Sequence, residues 1–199
     1  MAEDHVDKHR RRFLTAVTTG VGAVGGIAAA VPFVMSMTPS ARARAEGAPV
    51  QIDISKVEAG QMIREQWHGK PVFVVNRTKA MLDELDKDTD LLLDPTSSTD
   101  QQPSYAHNKY RSIKPEFLVV IGVCTHLGCV PIQKFTVGAD SGMGADWPGG
   151  FFCPCHGSKY DLSGRVFKNV PAPLNLVIPP YRYETDTTVV VGENPKGAA

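Results

Sequence analysis

Between Phe13 and Met37 the chain carries no charged residue, whereas every later apolar stretch is short. About 20 apolar residues are enough to cross a bilayer as a helix, so this run predicts a membrane-spanning anchor over residues 13–37. The next segment, "TPSARARAEGAP" (38–49), is small, polar and punctuated by Pro and Gly, which predicts an exposed, flexible hinge. Beyond it the apolar period shortens. "VQIDIS" alternates apolar and polar positions, "GKPVFVVNRT" contains the run "VFVV", "EFLVVIGV" (116–123) is continuously apolar, and "TTVVVG" lies near the C-terminus. Each predicts a strand, the third a buried one. Only "KAMLDELDKDTDLLLD" has helical spacing, with Met81, Leu82 and Leu85 as a short apolar face, and "PTSSTDQQPSYAHNKY" after it reads as a polar loop. Many short strands separated by Gly/Pro turns predict an all-β, antiparallel head domain over 50–199.

Composition adds bounds. With 199 residues, 42% hydrophobic and 21% charged, the chain has room for one ordinary domain and an appendage. Lys and Arg (21) balance Asp and Glu (21), so no overall field attracts nucleic acid, and no nucleic-acid partner is expected. Charge is informative only at the N-terminus, where Lys8, Arg10, Arg11 and Arg12 directly precede the apolar run. With Phe13-Leu14 they resemble a twin-arginine export signal, His9 standing where Ser or Thr is usual. The apolar run exceeds the ~7–15 residues of a cleavable signal, which favours a retained single-pass anchor over removal at "SARARA". Basic residues before the span put residues 1–12 in the cytoplasm and the head in the periplasm, an oxidising compartment that permits disulfides.

The four cysteines fall in two compact boxes, "CTHLGC" (Cys124 to Cys129) and "CPCH" (Cys153 to His156). Each box holds two cysteines and one histidine. A zinc finger pairs like with like and leaves no cysteine over, so the mixed halves point to a site with two metal atoms. "CTHLGC" and "CPCHGSKYD" resemble the two cluster-binding boxes of Rieske 2Fe-2S proteins. The anchor, the hinge and the trailing "PAPLNL" extend the likeness to the iron-sulfur subunits of bacterial cytochrome bc complexes.

The resemblance implies a Rieske-type sandwich with a small cluster-binding subdomain at about 116–174, in a subunit of the bacterial inner membrane. It implies one 2Fe-2S cluster ligated by Cys124, His126, Cys153 and His156, and a disulfide between Cys129 and Cys155. Ser158 and Tyr160 match hydroxyls that donate to cluster sulfur. Leu127, Gly128, Gly157, Pro171, Ala172 and Pro173 match the docking tip and cluster cover. Val170 departs from the glycine usual before Pro-Ala-Pro. The implied partners are ubiquinol, cytochrome b and a c-type cytochrome in a dimeric complex, with His156 accepting the quinol proton. With neutral imidazoles, two ferric irons, two sulfides and two thiolates sum to zero formal charge, so adding an electron costs less than in a four-thiolate cluster. A relay subunit of an exported oxidase, such as arsenite oxidase, is the competing reading; a zinc-stabilised β domain is the bland one. His5, His68 and His107 carry no expected role, Trp67 and Trp147 are expected to pack, and "DWPGG" (146–150) reads as a turn.

Overall fold

The computed structural model describes residues 7–41, 43, 47–87 and 89–197. The expected cytoplasmic tail up to residue 6, His5 included, and residues 42 and 44–46 of the expected hinge lie outside these. The apolar run forms helix α1 (Lys8–Ser36), 29 residues with none buried. At 1.5 Å per residue it is about 44 Å long, more than the ~30 Å hydrocarbon core it would cross. It is long and apolar enough to span a membrane. The helix starts at Lys8, ahead of the expected Phe13, because the Asp7 carboxylate caps it, accepting from the amides of His9 and Arg10 at 2.9 and 3.2 Å. The four basic residues therefore ride on its first turns.

Residues 46–199 form a separate compact unit. Its strands are β1 (Val50–Asp53), β2 (Met62–Trp67), β3 (Lys70–Asn76), β4 (Phe117–Ile121), β5 (Ile132–Lys134), β6 (Gly150–Phe152), β7 (Lys159–Tyr160), β8 (Tyr181–Thr185) and β9 (Thr188–Val191). Among the described residues they build three antiparallel sheets, ordered β1-β9-β8, β2-β3-β4 and β5-β6-β7. The fold is all-β, as the apolar pattern predicted.

The longest apolar runs lie where the core is densest. Val72 to Val75 of β3 and Leu118 to Val120 of β4 are at most 1% exposed and sit opposite one another. Val119 pairs with Val74 and Val120 with Phe73, so the continuous run is buried on both faces. Gly122 follows β4, and a Cβ there would overlap the Phe73 ring. Its glycine lets the chain pass that ring on the way to Cys124.

The helical stretch is shorter than its spacing suggested. Helix α2 (Lys79–Glu84) is capped by Thr78 and ends at Leu85, with a 3-10 turn at Thr89–Leu91. Met81 and Leu85 bury one face, but the next position on that face is Thr89, so nothing apolar supports another turn.

Two features fix the chain beyond β7. The turn Asp161 to Arg165 is buried, and its Asp161 Oδ2–Arg165 Nε ion pair is 2.6 Å long. Arg77 donates to Leu162 O and Ser163 Oγ, and Arg111 donates to the carbonyls of Ser163 and Gly164. Burial pushes both guanidinium pKa values down to about 10, with Asp161 opposing the shift. A satellite apolar cluster of Leu92, Trp147 and Phe167, flanked by Met143 and Val170, lies outside the main core. Trp147 stacks on Phe167 at 5.7 Å and its indole donates to Lys134 O at 2.8 Å, a packing role. His68 and His107 are exposed.

Candidate metal centre

The β5-β6-β7 sheet explains why two boxes far apart in sequence meet. The first box ends just before β5 begins, and the second connects the end of β6 to the start of β7. In an antiparallel sheet those three strand ends are neighbours.

The boxes also fold alike. Cys124 N donates to Cys129 O at 2.8 Å and Gly128 N to Cys124 O at 3.0 Å, while Cys153 N donates to Ser158 O at 2.8 Å and Gly157 N to Cys153 O at 2.9 Å. Gly128 and Gly157 close these turns at φ 83° and 79°, a region glycine enters without a Cβ penalty. Both are therefore backbone devices of the loops.

The cysteines divide into two kinds. Cys129 and Cys155 are joined in a disulfide, Cα to Cα 6.7 Å, which ties the loops together. The sulfurs of Cys129, Cys153 and Cys155 lie within 4.8 Å of one another, but the disulfide removes two of them as thiolate ligands. Cys124 and Cys153 stay free and buried. The rings of His126, half-buried, and His156, exposed, meet edge to face with centroids 4.8 Å apart. Each loop thus offers one buried thiol and one more accessible imidazole. This donor set fits a two-iron cluster held by two sulfurs on one side and two nitrogens on the other.

Hydroxyl groups surround the sulfurs. Tyr160 Oη donates to Cys124 Sγ at 3.2 Å and accepts from the Thr125 amide at 3.1 Å. Burial and the Cys124 contact push the Tyr160 hydroxyl well above the ordinary phenol range, so it stays a donor. Burial opposes ionisation of Cys124, yet hydrogen bonds from Tyr160, the His126 backbone, Cys153 and Ser158 hold its thiol below the usual range. Burial holds Cys153 above it.

A third loop covers the site. Ala172 N donates to Ser158 Oγ at 3.0 Å, and Thr125 Oγ1 donates to Leu174 O at 2.7 Å. Ala172 is buried while Pro171, Pro173 and Gly128 are exposed, and Leu127 is 71% exposed at the tip. Thr125 and Leu174 are the site residues that sequence reasoning missed; a hydroxyl directly after Cys124 was the available signal.

A hydrogen bond to sulfur stabilises the more negative, reduced state. Ser158→Ala and Tyr160→Phe are each expected to lower the midpoint potential by roughly 40 mV, the electrical equivalent of the ~1 kcal/mol a hydrogen bond contributes net. Redox titration of both variants checks this, and unchanged midpoints would refute the assignment.

Antiparallel sheets holding two Cys/His loops, with a disulfide beside two free thiols, define an iron-sulfur electron-transfer domain of the Rieske type. The family model described as Rieske [2Fe-2S] domain matches residues 49–181. A second, described as Ubiquitinol-cytochrome C reductase Fe-S subunit TAT signal, matches residues 1–40. The chain is 58% identical to the ubiquinol-cytochrome c reductase iron-sulfur subunit of Allochromatium vinosum, over 100% of this chain and 95% of that one. It is 45% identical to the subunit of the same name from Blastochloris viridis, over 96% of this chain and 97% of that one. A solved chain of a hyperthermophilic respiratory Complex III is 27% identical, with a TM-score of 0.47, covering 88% of this chain and 98% of the other. The chain belongs to the Rieske [2Fe-2S] family, among the ubiquinol-cytochrome c reductase iron-sulfur subunits. Its cofactor is a Rieske-type [2Fe-2S] cluster.

Proposed function

We propose that this chain is the iron-sulfur subunit of a respiratory cytochrome bc complex, taking one electron from ubiquinol at cytochrome b and delivering it to a c-type cytochrome. The observation that carries the reading is the pairing, on each of two disulfide-joined loops, of one buried free thiol with one more accessible imidazole. Cys124 and Cys153 would hold one iron, and His126 and His156 the other. When bound, the cluster supplies a one-electron acceptor at raised potential.

The chain's own groups do the rest. His156, exposed at the tip, offers the ring nitrogen not on the metal to the quinol hydroxyl and takes its proton. Leu127 presents an apolar contact to cytochrome b beside it. Ser158 and Tyr160 direct their hydroxyl protons at sulfur, and the disulfide holds the loop tips together. The loop Pro171-Ala172-Pro173 keeps water from the sulfur side. Helix α1 anchors the subunit, with its basic end in the cytoplasm and the head in the periplasm of a bacterial inner membrane. The segment 38–49 is long enough to act as a hinge, letting the head swing between cytochrome b and the c-type cytochrome in a dimeric complex.

If the histidine ring carries the proton, electron and proton uptake are linked. The midpoint potential is expected to fall with rising pH across the alkaline range, by about 59 mV per pH unit for each proton. A potential that stays flat over that range would contradict the proton-accepting role.

A further inference from the structure

We infer that Val170 is a positioning residue for the Ser158 hydroxyl, acting through the loop it anchors. This rests on the reading above that Ser158 donates to cluster sulfur.

A serine hydroxyl has a single proton. Ser158 Oγ accepts from the Ala172 amide at 3.0 Å, so its own proton is turned away from that amide. The direction of the Ser158 proton is therefore set by where the Ala172 backbone sits. That backbone belongs to an irregular segment held at its two ends in different ways.

The C-terminal end is held by polar groups. Buried Asn175 accepts from Val166 N at 2.8 Å and donates to Asp94 O at 3.2 Å and Ser97 Oγ at 3.1 Å. Leu174 O takes the Thr125 hydroxyl proton. At the N-terminal end the polar holds among the described residues stop at Lys168, whose Nζ donates to Asp90 O at 2.9 Å. Pro171 lacks an N–H, Asn169 is exposed in the left-handed region at φ 57°, and among the described residues the preceding backbone hydrogen bond is Lys168 N to Leu91 O. What fixes this end is the Val170 side chain. It is half-buried and, among the described residues, alone packs against both the main core and the satellite cluster of Leu92, Trp147 and Phe167. Its β-branched side chain is stiff and allows little rotamer freedom at that junction. Glycine there would remove the wedge and free the backbone two residues before Ala172.

The test uses the full-length, cluster-loaded protein in membranes as wild type, Val170→Gly, Ser158→Ala and the double variant. Midpoint potential is read by redox titration, and protection of the Ala172 amide by hydrogen exchange on the detergent-extracted protein. Val170→Gly is expected to lower the midpoint by less than Ser158→Ala does, and to speed exchange at Ala172. In the Ser158→Ala background it is expected to add no further shift, because the hydroxyl it orients is gone. Should the glycine variant fail to accumulate, Val170→Ala, a smaller cut, is expected to give a smaller shift in the same direction. An unchanged midpoint in Val170→Gly, or an equal drop in both backgrounds, would overturn the inference while leaving the role of Ser158 intact. An unchanged midpoint in Ser158→Ala itself would instead overturn the reading on which the inference rests.

Discussion

Cys124→Ser and Cys153→Ser are each expected to abolish the [2Fe-2S] cluster, leaving protein with no iron and no low-g EPR signal. Both thiols are buried and free, one on each of the two loops. A hydroxyl replaces neither, because it is a hard, weakly acidic donor where iron-sulfide chemistry needs a soft thiolate. No spare sulfur is available to substitute, since Cys129 and Cys155 are bound to each other. Iron per protein chain and EPR of the reduced variants measure the loss. Mass analysis showing the disulfide still formed separates ligand loss from misfolding. Full iron content with an unchanged spectrum in either variant would show that the proposed ligand set is wrong.

Removing the disulfide is expected to have the second largest effect. Cys129 and Cys155 are 26 residues apart. In the chain-entropy account, freeing a loop of that length costs about 3.5 kcal/mol, within the usual range for a native disulfide. For a head of this size that lowers Tm by roughly 10 °C. Function suffers separately, because the disulfide alone joins the two tips covalently. Without it the His126 and His156 rings are no longer held 4.8 Å apart. The double variant Cys129→Ser/Cys155→Ser is therefore expected to melt earlier and to lose cluster on storage, both followed by thermal scans of cluster absorbance. A melting temperature and cluster lifetime equal to wild type would leave the bridge without the bracing role assigned to it.

The parts of this chain that sequence revealed share a physical reason. β3, β4 and β9 read as strands because their side chains are buried, which forces continuous apolar runs. β2 was missed because it is a sheet edge. Arg64, Glu65 and Gln66 are exposed there, and the strand exists through backbone pairing with β3. β5, β6 and β7 are two or three residues long, too short for any period, and Gly150 is required where a Cβ would overlap the Tyr160 carbonyl.

At the site, the boxes were legible because all four cysteines and two of the six histidines fall within their ten residues. The similar turns around Cys124 and Cys153 were not, since backbone amides leave no mark on side-chain pattern. Nor was the anchoring of the covering loop. The satellite cluster beneath Val170 gathers Leu92, Met143, Trp147 and Phe167 from separate loops, and their proximity exists only in the fold.

The most direct test of the central claim is low-temperature EPR of dithionite-reduced membranes containing the protein, recorded with and without an inhibitor of the quinol-oxidation site. A low average g value, as nitrogen-ligated 2Fe-2S clusters give, with a line shape that changes on inhibitor addition, is the expected result. It would place the cluster in contact with the quinol site. A Rieske-type signal indifferent to the inhibitor would contradict the quinol-oxidising role.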